Sequence, residues 1–232
     1  MNLRFMLGTA IVLGAAAMLL LGMHSEAARA VTLPSPTVDT PVASSPGEEK
    51  AVLAGGCFWG MQLVFEHVKG VKHVTAGYAG GSKETAAYEV VSTGATGHAE
   101  SVEIVSDPSL VSYGQLLKVY FSVAHDPTEL NRQGPDEGTQ YRSSIFFADP
   151  EQQRVAQAYI DQLQAAHVFS EPIVTTVTPL QGFYAAEAYH QDYAIRHPQN
   201  MYIAINDLPK LGSLKQELPE LYMAQEAAAS TP

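Results

Sequence analysis

The chain has 232 residues, 46% of them hydrophobic, and sets 24 Asp and Glu against 13 Lys and Arg for a formal net charge of −11. An acidic chain with no basic stripe lacks the electrostatic footprint of a nucleic-acid binder, because phosphate contacts need clustered Lys and Arg. The length accommodates one globular domain with an appendage and not two full domains.

In chain order, Arg4, the apolar run Met6 to Met23 and Ala28-Arg29-Ala30 read as an export signal over residues 1–30, cut near Val31. The run approaches membrane-spanning length, so an N-terminal anchor through residues 6–23 is the alternative. Both readings place the rest of the chain outside the cytoplasm, secreted or periplasmic. Residues 31–49 are rich in Pro and Ser, and Pro34, Pro36, Pro41 and Pro46 predict an extended linker without regular structure. Residues 50–223 form the expected catalytic domain, and residues 224–232 a flexible tail.

Within the domain, Ala51 to Ala54 predicts a short buried strand, and Gly55-Gly56 a turn. A helix follows with Met61, Val64, Phe65 and Val68 on one face, stopped by Gly70. Strands are predicted at 71–78 and 100–105, the latter with Val102 and Ile104 on one side. Ser112 and Gln115 form a capping box ahead of Tyr113, Leu116, Leu117, Tyr120, Phe121 and Ala124 at helical spacing. A polar loop over 125–140 leads to a strand at 142–148. Asp149 and Pro150 then open a long helix that turns Val155, Tyr159, Leu163 and Ala166 inward. A strand at 173–177 and a last helix carrying Tyr184, Ala188 and Ile195 complete the domain. Alternation in this order is closer to an α+β fold of four or five strands than to a doubly wound parallel sheet. Neither G-x-G-x-x-G nor a P-loop occurs, so nucleotide chemistry has little support.

Cys57 is the one cysteine of the sequence. It falls between the first strand and the first helix, where a helix N-terminus predicts a thiol shifted toward thiolate; a buried, inert cysteine is the plainer alternative. Glu100 stands at the mouth of a strand after the Gly94–Gly97 turn, and Asp136 and Tyr141 lie in a Gly-rich loop. Taken singly, these read as a surface carboxylate, a turn former and a core edge. His98, His125 and His190 raise a Cys-His hydrolase or a metal site, but no spacing picks out a partner histidine and no metal-ligand pairing occurs, so no metal is expected. Tyr88, Tyr141 and a protonated Glu100 could donate hydrogen bonds to an oxygen, while Phe58 and Trp59 offer an apolar wall for a small alkyl group. A soft nucleophile with an acid and oxygen-directed donors suits attack on an oxidised, alkylated sulfur.

Gly56-Cys57-Phe58-Trp59-Gly60, Thr96-Gly97-His98-Ala99-Glu100 and Gly138-Thr139-Gln140-Tyr141-Arg142-Ser143 together closely resemble the peptide-methionine (S)-S-oxide reductase family, methionine sulfoxide reductase A, over about residues 51–212. The resemblance implies a two-layer α+β sandwich with a ferredoxin-like core, its mixed sheet covered by helices. It also implies repair of methionine S-sulfoxide, free or in oxidised proteins, as a response to oxidative stress. Cys57 would be the nucleophile, Glu100 the acid, Tyr88 and Tyr141 the holders of the sulfoxide oxygen, Phe58 and Trp59 the methyl pocket, and Asp136 a contact to the substrate backbone. Many relatives carry further cysteines toward the C-terminus; here Met201 to Asn206 has none. The sulfenic acid must then meet an external thiol, from a thioredoxin-type protein or a small molecule, with no other cofactor. A monomer is expected.

Overall fold

The computed structural model describes residues 33–224. The export signal or anchor expected over residues 1–30, and all but the first residue of the expected tail, lie outside the described residues.

β1 (Glu49–Ala54), α1 (Phe58–Glu66), β2 (Val71–Ala79), α2 (Tyr88–Val91), β3 (Ala99–Ser106) and α3 (Tyr113–Val119) come first. They are followed by a small hairpin, β4 (Arg132–Gln133) and β5 (Asp136–Glu137), then β6 (Ser144–Phe147), α4 (Pro150–Ala165), β7 (Thr176–Pro179), β8 (Phe183–Ala185), α5 (Tyr193–Arg196) and α6 (Leu208–Glu217). The main sheet has the order β7-β6-β1-β3-β2-β8. Its inner four strands, β6-β1-β3-β2, are antiparallel to their neighbours and follow the β-α-β-β-α-β connection of a ferredoxin-like core. β7 adds parallel to β6 across α4, which makes the sheet mixed, and β8 pairs with β2 at the other edge.

β1 is apolar without alternation because both its faces are covered. Ala51 and Leu53 join Val74, Ala76, Val102, Ile104 and Ile145 beneath the helix residues Met61, Val64, Phe65, Leu117, Val155 and Tyr159. Val52 and Ala54 pack on the opposite face with Ala79, Ala99 and Phe146, covered by Leu180 and Phe183. Each fully buried Val, Leu, Ile, Phe or Met among them contributes roughly 1.5–3 kcal/mol before conformational entropy is charged against it.

The local start signals form as read. Ser112 and Gln115 close a reciprocal capping box, and the Asp149 side chain accepts from the N–H groups of Glu151 and Gln152 ahead of Pro150. After Val119 the helix widens into a π turn, Tyr120–Ala124. The Tyr120 hydroxyl there donates to the carbonyl of Ala54 at 2.7 Å, pinning the end of β1.

Elsewhere the structure departs from the expected elements. The helix expected to carry Tyr184, Ala188 and Ile195 does not exist as one piece: Tyr184 lies in β8 opposite Tyr78, Ala188–His190 make a single 3-10 turn, and α5 is four residues long. The free edge of β2 supplies backbone partners for β8, and Asp192, at φ 53°, sits in the left-handed region that interrupts a right-handed helix. The strand expected at 173–177 forms at Thr176–Pro179, because Val174 N–H is taken by the carbonyl of Pro127. The strand expected from Arg142 starts at Ser144, since the Arg142 guanidinium donates to the carbonyls of Gly97, His98 and Thr139. Helix α1 stops at Glu66, and Val68 instead bridges to Tyr222. The loop expected over 125–140 contains the β4–β5 hairpin.

Residues 33–48 have no helix or strand but are bound to the domain. Leu33 is buried in the main core, and the carbonyl of Pro34 accepts from the Tyr159 hydroxyl at 2.9 Å. The Asp39 carboxylate accepts from Ser112 Oγ and Gly114 N–H, so the segment straps α4 to the start of α3. Among the described residues no helix is long and apolar enough to cross a membrane.

Candidate active site

Register alone brings the Cys57 turn and Glu100 together. β1 and β3 pair with Leu53 opposite Val102, and continuing that register sets Gly55 opposite Glu100, two residues before Cys57. Gly56 has φ 88° and turns the chain from strand to helix; a Cβ there would also meet the Gln133 side chain at 2.6 Å. Gln133 belongs to the β4–β5 hairpin, which thereby closes over the turn and delivers Asp136 to the same end of the sheet.

Cys57 occupies the N-cap of α1 and is half-buried. Next to it, the Phe58 backbone N–H donates to Glu100 Oε2 at 3.0 Å. This N–H is one of the groups at a helix start that has no partner within the helix. Glu100 is buried, and burial drives its carboxyl from 4.5 to about 8, with the Phe58 N–H pulling it down and Asp136 pushing it up. The carboxyl is therefore protonated at neutral pH.

The thiol does not follow the expectation drawn from its place at a helix N-terminus. Burial raises Cys57 well above the ordinary thiol range, the charges of Glu100, Asp207 and Asp136 raise it further, and the Trp59 N–H only partly opposes them. Desolvation outweighs the helix dipole here, and the resting group is a thiol.

Tyr88 and Tyr141 face the same space. Burial raises both phenols, and each also feels Glu100, Asp136 and Cys57. Both are firm hydrogen-bond donors at neutral pH. Glu187 fixes the start of α2 by accepting from Tyr88 N–H and from the Tyr78 hydroxyl, each at 2.9 Å.

The aromatic wall has more members than the sequence suggests. Trp59 stacks on Tyr193 at 3.9 Å and donates from Nε1 to His190 Nδ1 at 3.1 Å, and the His190 ring packs on both Phe58 and Tyr88. Tyr202 stands edge-on to Trp59, and its hydroxyl donates to Asp136 in a very short bond. Tyr202 and Tyr193 escape sequence reasoning because their partners are remote, and His190, considered there only as a base or a metal ligand, instead accepts from Trp59 across 131 residues. The cluster of aromatic residues between Tyr184 and Tyr202 was the one available signal.

The histidines do not activate the thiol. His98 accepts from Gly81 N–H and bonds the carbonyl of Ser82, while His125 is bonded to Tyr120 O and Ser143 Oγ and is pushed down to about 3 by burial. The rings of His98 and His125 are held in structural bonds, His190 Nδ1 accepts from Trp59, and none of the three is hydrogen-bonded to Cys57. Among the described residues no group of three or more His, Cys, Asp or Glu is arranged to hold a metal ion.

Gly60, one turn into α1, lies against the buried Asp207–Lys210 pair; an added Cβ would come within 2.7 Å of Lys210 Nζ and closer to Asp207 Oδ1. Gly60→Ala gains up to about 1 kcal/mol of helix propensity. It is nonetheless expected to lose a net 1–2 kcal/mol or so through overpacking against a side chain that cannot withdraw. A urea midpoint at or above the parent's would refute this.

A thiol, a protonated carboxyl and two phenols gathered beside an aromatic wall on a ferredoxin-like core define a thiol-dependent oxidoreductase. The sequence profile of the family Peptide methionine sulfoxide reductase matches residues 49–221. The chain is 60% identical over 179 residues, 77% of its length and 92% of the relative's, to Peptide methionine sulfoxide reductase MsrA 2 of Mesorhizobium japonicum. It is 54% identical over 195 residues, 83% and 91% of the two chains, to the MsrA 2 of Synechocystis sp.. Among solved structures, methionine sulfoxide reductase A of Corynebacterium diphtheriae is similar at 36% identity and TM-score 0.56, over 73% of this chain and 85% of that one. Reduced Mxr1 of Saccharomyces cerevisiae is similar at 28% identity and TM-score 0.61, over 72% and 98%. The chain belongs to the peptide methionine sulfoxide reductase family, and its activity is the thiol-dependent reduction of methionine sulfoxide.

Proposed function

We propose that the enzyme reduces the S epimer of methionine sulfoxide, free or in oxidised proteins, with Cys57 as nucleophile and Glu100 as acid. The observation that carries this is the protonated, buried Glu100 tied to the residue after Cys57. Glu100 gives its proton to the sulfoxide oxygen while the Cys57 sulfur attacks the sulfoxide sulfur and returns the thiol proton to the Glu100 carboxylate. The sulfur–oxygen bond of the substrate breaks as the oxygen passes to Cys57, leaving a sulfenic acid and methionine. Tyr88 and Tyr141 hold the oxygen, and Phe58 and Trp59 take the methyl group. Asp136, fixed by Tyr202, contacts the substrate backbone.

The 232 residues hold no second cysteine, so an external thiol condenses with the sulfenic acid, releases water, and a second thiol reduces the resulting disulfide. A thioredoxin-like dithiol protein or a small thiol supplies both. The apolar run at residues 6–23 supports export of the enzyme to the periplasm or beyond, cut free or anchored.

Incubation with each sulfoxide epimer and dithiothreitol should consume the S form; loss of neither, or of the R form alone, rejects the reading. Mass spectrometry after one turnover without reductant should find one added oxygen on Cys57. An unmodified thiol alongside formed methionine would exclude the sulfenic acid route.

A further inference from the structure

Helix α2 is four residues long, and Ala87 ahead of it has no side-chain oxygen to cap its first N–H groups. Glu187, 99 residues further on, takes that place: its Oε1 accepts from Tyr88 N–H and its Oε2 from the hydroxyl of the fully buried Tyr78, both at 2.9 Å. Tyr78 is the register partner of Glu100 in the β2–β3 pair. One carboxylate therefore joins the start of α2 to the strand pair that carries the acid. The turn bearing Glu187 does not depend on it for its own place. Gln191 pins that turn to β2, accepting from Ala76 N–H and donating to the carbonyls of Ala76 and Ala186 at 2.9–3.0 Å. The same turn brings the His190 ring onto the Tyr88 ring, with centroids 4.6 Å apart. His190 Nδ1 accepts from Trp59, so the proton of the neutral ring is on Nε2. That nitrogen is buried without a hydrogen-bond partner among the described residues and faces Glu187 Oε2 across 4.0 Å.

We propose that Glu187 is a positioning residue for the reduction: by tying the backbone of Tyr88 to Tyr78, it sets where the Tyr88 hydroxyl stands relative to Glu100. The inference rests on Tyr88 holding the sulfoxide oxygen. A phenol stabilises that oxygen only from hydrogen-bond distance, and misplacing such a group by about 1 Å costs on the order of 10²-fold in rate. The far end of α2 is held separately, with Val91 buried in the main core and Gln140 Nε2 donating to the carbonyl of Ser92 at 3.3 Å. Loss of the Glu187 bonds thus frees the end that bears Tyr88 and leaves the rest of the segment anchored. Burial works to raise the Glu187 carboxyl, but the N–H of Tyr88, its own N–H, the Tyr78 hydroxyl and His190 outweigh that and hold it below the usual range. It is then an anion at neutral pH, and hydrogen bonds to a charged acceptor are the stronger kind.

The test is a mutant cycle on methionine sulfoxide reduction with dithiothreitol as reductant. Glu187→Ala should lower kcat/KM by about 10- to 100-fold. Glu187→Gln should stay within about threefold of the parent, because its carbonyl still accepts from Tyr88 N–H and its amide donates to the Tyr78 hydroxyl oxygen. Tyr88→Phe should lose activity by itself, and in that background Glu187→Ala should cost no more than about twofold, since both changes act on one hydroxyl. Glu187→Ala/Tyr78→Phe, which leaves no unpaired buried hydroxyl, should show the same loss and takes the place of Glu187→Ala if the single variant does not fold. A Glu187→Ala rate within about twofold of the parent overturns the proposal. So does a loss that multiplies in full with that of Tyr88→Phe, which is what general loosening of the site produces, or a Glu187→Gln loss as deep as that of alanine. Tyr88→Phe at the parent's rate would withdraw Tyr88 as holder of the oxygen and the proposal with it, whereas a deep loss there beside a parental Glu187→Ala overturns the proposal alone.

Discussion

Replacing Cys57 by serine will reduce sulfoxide turnover to background while the protein stays folded. A serine hydroxyl is a far harder and weaker nucleophile, and no histidine bonds to position 57 that could activate it. Loss of a sole nucleophile removes on the order of 10⁶-fold in rate where it has been measured. The exchange alters one half-buried atom and the Cys57 side chain makes no cap bond, so stability should move by less than about 1 kcal/mol. Single-turnover methionine release and a urea titration test both halves. Turnover within about tenfold of the parent would end the thiol mechanism, whatever the fold does.

Glu100→Gln should lower the rate by about 10²- to 10⁴-fold, the range for a lost general acid. In the parent the acid is present below about pH 8 and lost above it, so the rate should fall through that pH; this limb should vanish in the variant. The same change acts oppositely on stability. A carboxyl moved from 4.5 to about 8 favours the native state below pH 4.5, and that contribution is lost as pH rises to 8. The full loss is on the order of 5 kcal/mol, and glutamine escapes it. Above pH 8 the variant should therefore unfold at higher urea than the parent. Equal midpoints at pH 9, with a parent rate flat from pH 6 to pH 10, would show that the carboxyl is ionised throughout and cannot be the acid.

What could be read in advance follows from how far apart partners lie. The Ser112 box, the Asp149–Pro150 start and the apolar β1 depend on neighbours within a few residues, and all three form where the sequence places them. Cys57, Glu100, Tyr88 and Tyr141 stood out because each sits in a loop or at an element end, and the sheet register then gathers them. The helix expected to carry Tyr184, Ala188 and Ile195 does not form because Tyr184 pairs with the edge of β2, about a hundred residues earlier in the chain. Tyr202 is bonded to Asp136 across 66 residues, and nothing in Met201-Tyr202-Ile203 announces this. The thiol differs from expectation for another reason: a helix N-terminus is visible in a sequence, whereas the desolvation that outweighs it arises only once the chain is packed.

The bond from Phe58 N–H to Glu100 has a consequence for the moment after proton transfer. In the proposed reaction Glu100 is then an anion, and the free end of α1 is what faces it. The helix thus behaves as a counter-ion that holds no exchangeable charge: it steadies the spent acid without titrating itself, and it leaves the proton's return to the thiol. The packing that buries Glu100 thus makes it an acid, and the backbone of α1 sets the limit on how weak an acid it becomes.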